Sequence, residues 1–93
     1  METTELLNER GKTHGDYSVH ATITQHLKGI IEDPIYGWCR LTLEEREALH
    51  MIAHKIGRIL NGDPNYDDSW IDIAGYAKLV ADRLTANSVA NGA

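Results

Sequence analysis

The stretch whose reading decides the fold is Thr42–Leu60, TLEEREALHMIAHKIGRIL. It opens on a capping box: the Thr42 hydroxyl is placed to accept the Glu45 backbone N–H, and the Glu45 carboxylate to reach back to Thr42. Behind it, Leu49, Ile52, Ile56, Ile59 and Leu60 recur at the spacing of one helical face, which predicts a helix with that stripe buried. Gly62 and Pro64 supply the stop. Downstream, the loop DPNYDD leads into a second helix from Asp68 to about Ala86. Its Trp70, Ile73, Ala74, Ala77, Val80, Ala81 and Leu84 follow the helical period and form the expected buried face. Asp67 and Asp68 at its start suit the positive end of the helix dipole. The connection is short, so the two helices are expected to pair as an antiparallel hairpin.

Upstream, a helix is expected from about Ser18 to Glu32, with Val19, Ile23, Leu27, Ile30 and Ile31 as its stripe. Asp33-Pro34 ends it, because the residue before proline is pushed out of helical space. A short first helix, Thr4–Arg10, carries Leu6 and Leu7 on its inner side. Tyr36 and Trp38, in the loop IYGWCR, are expected to pack on the bundle or line a pocket. Gly57 and Gly75 sit mid-helix, each costing about 1 kcal/mol against alanine. Either close helix approach or backbone access for a ligand explains them. The expected fold is therefore all-α: a small bundle of about four helices around the hairpin, in one domain, 1–93, with the tail 87–93 frayed.

Composition bounds the function. At 93 residues, 42% hydrophobic and 25% charged, the chain is too small for two cores and too apolar for a disordered tail. A net charge of -5 and a pI near 5.4 argue against broad nucleic-acid binding. No apolar run is long enough for a membrane span, and no signal peptide opens the chain. Cys39 is the one cysteine, which points to the reducing cytosol and a cytoplasmic protein. With no Phe, two Trp and four Tyr, core material is light, and a homo-oligomer, dimer or larger, is expected to complete the core.

Three groups of residues carry candidate chemistry. Glu44 and Glu47 lie three apart on one helix, Asp68 and Asp72 four apart on the next, and each pair shares a helix face. Carboxylates from neighbouring helices hold Mg²⁺ for phosphate chemistry; the alternative is a solvated face with helix-start charges. Within a hairpin, Glu47 lies about 20 Å along from Asp68 at 1.5 Å per residue, so one ion joins them only across subunits. The expected metal ligands are Asp68 and Asp72 with Glu47 from a neighbouring subunit. His50, His54 and Arg58 step by four, with Lys55 on their flank. Without HExxH the histidines are weak zinc candidates, whereas Lys55 and Arg58 suit phosphate. Third, the loop Arg10–Tyr17, RGKTHGDY, places Arg10, Lys12, His14 and Asp16 beside two glycines, which suits anion binding although it is no Walker loop. A plain helix connection is the alternative.

Three segments, ERGKTHGDY, EALHMIAHKIGRIL and DDSWIDIAGYAKLVADRL, resemble a family of small phage and prophage proteins related to the nucleotide modification-associated domains. Its pattern is an E-R-G-x-x-[YH]-G-D loop, then K-x-x-R, then D-S-[WY]-x-D-x-[AG]-x-Y. Here these fall at Glu9–Asp16, Lys55–Arg58 and Asp68–Tyr76. Glu44 and Glu47 are also similar to the first E-x-x-E pair of the MazG-like all-α nucleoside triphosphate pyrophosphohydrolases, although Asp68 and Asp72 are spaced by four rather than three. These resemblances imply a nucleotide ligand and Mg²⁺. The leading expectation is a phage-type nucleotide-handling protein with Mg²⁺-dependent pyrophosphohydrolase-like chemistry. The alternatives are a non-catalytic module that sequesters a nucleotide or host protein, and a helical adaptor.

Overall fold

The computed structural model describes residues 15–90. These form three α-helices, α1 (Tyr17–Ile31), α2 (Leu43–Asn61) and α3 (Asp67–Ala90), with a 3-10 turn at Gly37–Arg40 and no strand among the described residues. Of the bundle of about four helices, the described part holds three. The expected helix Thr4–Arg10 lies outside it. The capping box is present in both directions: Thr42 N–H donates to Glu45 Oε1 at 2.8 Å, and Glu45 N–H to Thr42 Oγ1 at 3.2 Å. α1 starts on Asp16, whose carboxylate accepts from the Ser18 and Val19 N–H groups. Gly15 enters that cap at φ 80°, and a Cβ there would run into the Asn61 carbonyl. α3 continues to Ala90, past the expected end near Ala86.

α2 is the central strut, packed on α1 along one side and α3 along the other. Against α1, Asn61 meets Asp16, His54 meets His20, and His50 meets Glu32. Numbers rise along α1 as they fall along α2, so the two run antiparallel. Against α3, Lys55 pairs with Asp72 and Glu44 with Arg83, so these two run antiparallel as well. At about 100° per residue, the α1-facing and α3-facing sides of α2 are roughly 110° apart, which makes a shallow three-helix layer rather than a closed triangle.

The rotation of the helices within that layer overturns the expected burial. Leu49 and Leu60 of α2 are exposed, and Ile52, Ile56 and Ile59 are half-buried; the buried residues are Ala48, Ala53, Lys55 and Gly57. On α3, Ser69 is buried and Asp72, Ile73, Tyr76 and Val80 are half-buried. Trp70, Ala74, Ala77, Ala81 and Leu84, expected inside, are exposed. On α1 the interior positions are His20 and Thr24, while Val19 and Ile30 are exposed. The physical reason is the set of polar partners that join the helices. Lys55–Asp72 turns α3, and His20–His54 turns α1, away from the orientation that would bury their apolar stripes. Among the described residues no helix is long and apolar enough to cross a membrane.

Candidate functional site

The polar pairs that set the rotation also build a site. α1 approaches α2 closely where Gly57 lacks a side chain: a Cβ there would stand 2.8 Å from Thr24 Cγ2 and 3.0 Å from His20 Cε1 and Nδ1. Gly57 is therefore a packing glycine. Gly75 is not, since a Cβ there meets nothing within 4 Å. Thr24 Oγ1 donates within its own helix, toward the His20 and Ala21 carbonyls, each at 3.1 Å, so its methyl is left facing Gly57. The His20 ring lies over the same glycine, only 6% exposed, and its Nε2 stands 2.7 Å from His54 Nδ1. One of these nitrogens carries the shared proton, so the accepting ring is neutral. Burial is the largest cause depressing His20 below its ordinary 6.5, Arg58 adds to it, and the Gly57 backbone opposes. His54 is likewise lowered by burial first, then by the charges of His20, Arg58, Lys28 and Lys55.

Lys55 lies beside this pair with its side chain 11% exposed, and its ammonium donates to Asp72 Oδ2 at 2.8 Å. Asp72 is 44% exposed, so the pair bridges interior and surface. Asp68 accepts from the Tyr66 hydroxyl at 2.9 Å, and that bond, with the Asp68 charge, raises the phenol above its usual 10. Arg58 acts on His20, His54 and Tyr66 alike. It is half-buried, yet among the described residues its guanidinium makes no ion pair and no hydrogen bond.

The structure thus gathers Lys55, Arg58, Asp68 and Asp72 on one polar face. Glu47 is exposed on α2 and, by the register of the Lys55–Asp72 and Glu44–Arg83 pairs, lies level with Val80. That is about 18 Å along α3 from Asp68 at 1.5 Å per residue. Asp16 serves α1: the Ser18 hydroxyl and the two N–H groups hold its carboxyl below 3.8. Its backbone carbonyl accepts from Asn61 Nδ2 at 2.7 Å, tying the entry of α1 to the end of α2. Arg10, Lys12 and His14 lie outside the described residues. No group of three or more metal-ligating side chains converges among those described. His50 and His54 diverge: His50 bonds Glu32 at 2.8 Å and packs on Trp38, whereas His54 turns to His20. Trp38 is also covered by Arg46, and with Tyr36 it lines a surface groove beside Leu49, as the aromatic loop suggested.

His20 is the residue that the periodicity missed. It stands between apolar positions and outside the stripe, and only the question of what lies over Gly57 would have found it.

Three antiparallel helices carry a histidine pair, a lysine–aspartate bridge and an arginine whose guanidinium has no partner among the described residues, and they define a small all-helical protein. The chain belongs to the DUF6378 family, a domain of unknown function, whose family model matches residues 1–84. No curated protein and no solved structure matches it.

Proposed function

We propose that this protein binds the phosphate groups of a nucleotide on the face around Arg58 and holds the ligand without reacting it. The observation that carries the reading is Arg58 itself, a half-buried guanidinium with no partner among the described residues. Its planar fork matches phosphate oxygens in pairs. Lys28, whose charge reaches His54 as that of Arg58 does, adds positive potential, and His54 offers a ring that a bound phosphate would help to protonate. Arg10, Lys12 and His14 precede Gly15 in the sequence and supply further basic side chains for a phosphate. The resemblance to nucleotide modification-associated and MazG-like proteins favours a nucleotide over other phosphates, in the cytoplasm of a phage-infected bacterium.

A second reading, Mg²⁺-dependent pyrophosphohydrolysis, is favoured by Asp68 and Asp72 standing one turn apart beside Arg58. It ranks below sequestration because Asp72 is already neutralised by Lys55 and Asp68 is bonded by Tyr66. The test is equilibrium dialysis against nucleoside triphosphates and cyclic nucleotides, with and without Mg²⁺, followed by chromatography of both compartments. Saturable recovery of intact nucleotide, weakened roughly tenfold or more in Arg58→Ala, is expected. Binding that survives Arg58→Ala unchanged sinks the assignment, and new products that require Mg²⁺ establish the second reading.

A further inference from the structure

The face of the layer opposite Arg58 is the less expected feature. Because the side of each helix that meets its neighbour is known, the remaining sides can be placed at about 100° per residue. Val19 and Ile30 of α1, Leu49 and Leu60 of α2, and Trp70 and Leu84 of α3 all fall on one side of the layer. Every one of them is exposed, Trp70 by 55% and Leu60 by 67%. Ile56 and Ala77 occupy the middle. Of the charged residues, Arg40 borders Ile30 and Leu49, and Glu44, Glu45 and Arg83 border Leu84, so the charges stand at the ends of the face. Meanwhile the only hydrophobic residues fully buried among those described are Ala48 and Ala53. A helical layer whose interior is two alanines, a glycine and the polar residues His20, Thr24, Lys55 and Ser69 has not yet buried what drives folding.

We infer that this face is covered by a second copy of the same chain, packed apolar face to apolar face about a two-fold axis. The exposed apolar side chains on it present on the order of 800 Å² per protomer, which is about what each partner contributes to a standard interface. An uncharged centre with a polar rim is the composition of such an interface. Bulky Trp70 and Leu84 bracket the small residues Ala74, Ala77 and Ala81 on α3, a relief that a two-fold operation can interdigitate with itself. The residues outside the structure are a poorer cover: residues 1–14 hold only Met1, Leu6 and Leu7 as large apolar side chains, against six exposed ones on the face.

Sedimentation equilibrium of the full chain tests this. The expected mass is about 21 kDa, twice the 10.4 kDa of the chain, with a urea midpoint that rises with protein concentration because unfolding and dissociation are linked. Ala77→Glu, which places two carboxylates in the buried centre, is expected to weaken association roughly 100-fold or more. Leu79→Glu, at an exposed position on the opposite face, should leave the dimer intact. Should Ala77→Glu lose its helix content, the concentration dependence of the wild type and the Leu79→Glu result still decide. A 10.4 kDa species with a concentration-independent midpoint overturns the inference and assigns the cover to residues 1–14 or to another protein. A dimer that Leu79→Glu breaks and Ala77→Glu does not overturns it too, by placing the contact on the polar side.

Discussion

Replacing Gly57 by alanine pits two effects of known size against each other. An alanine in mid-helix is worth about 1 kcal/mol over glycine. The added Cβ would meet Thr24 Cγ2 at 2.8 Å and the His20 ring at 3.0 Å, and overpacking of this kind costs about 1–3 kcal/mol. The neighbours have little freedom to yield. Thr24 is buried, and its hydroxyl is engaged with the His20 and Ala21 carbonyls, so rotating the methyl away breaks those bonds. The His20 ring is pinned by His54 at 2.7 Å. The net expectation is destabilisation by about 1 kcal/mol, which for a domain this size lowers Tm by about 4–8 °C. Gly75→Ala is the matched control. It has nothing within 4 Å of the new methyl, so the propensity gain stands alone and the protein should gain up to about 1 kcal/mol. Urea denaturation followed by circular dichroism, at one fixed protein concentration, reads both. Adding Thr24→Ser, which removes the offending methyl, should return part of the loss in the Gly57→Ala background. If Gly57→Ala stabilises as much as Gly75→Ala does, the close approach of α1 to α2 is wrong, and the histidine pair loses its support.

Two further outcomes follow from the same site. Both His20 and His54 are depressed below 6.5 in the fold, so the unfolded chain binds more protons in mildly acid solution. Their neutral pairing contributes fully above about pH 6.5 and is lost as the pH falls from there toward the folded values. The urea midpoint should therefore drop between pH 7.5 and pH 5, and by less in His20→Gln; a midpoint that ignores pH over that range removes the neutral pair. The Lys55–Asp72 bridge is asymmetric in exposure, 11% against 44%. Asp72→Ala leaves an ammonium with little water and should cost about 2–3 kcal/mol, whereas Lys55→Met leaves a half-solvated carboxylate and should cost about 1 kcal/mol. Equal losses by denaturation would mean that the lysine is not held in the interior.

What could be seen from sequence was whatever chemistry within a few residues determines. The capping box at Thr42 and Glu45, the stop at Gly62 and Pro64, and the break at Asp33-Pro34 act over one helical turn, and the helices begin and end close to where these place them. That Asp68 and Asp72 lie on one side of their helix was visible for the same reason, since helical spacing alone sets it, and the short connection brought Arg58 near them. Orientation was not visible. The stripe Trp70, Ala74, Ala77, Ala81 and Leu84 has a faultless period, but a period does not say which neighbour the stripe meets. It was assigned to the inside of the chain because a monomer's core lies there. Lys55, reaching across to Asp72, and His20, filling the space over Gly57, instead bring polar sides together. Neither pairing leaves a trace in local sequence, because its members are 17 and 34 residues apart.

The two faces of the layer constrain each other's function. A metal site shared by Asp68 and Asp72 with Glu47 of a neighbouring subunit requires two polar faces to approach. Dimerisation through the apolar faces puts the polar faces on opposite outer surfaces, about two helix layers apart, or roughly 20 Å at typical interaxial distances. The partner's polar surface then cannot complete an ion site at Asp68. In such a dimer the proposed phosphate site around Arg58 and the histidine pair lies within each chain. The expected stoichiometry is one nucleotide per chain, each site independent of the other. Sedimentation and dialysis are therefore coupled experiments: a dimer broken by Ala77→Glu favours capture over metal-dependent hydrolysis before any reaction product is sought.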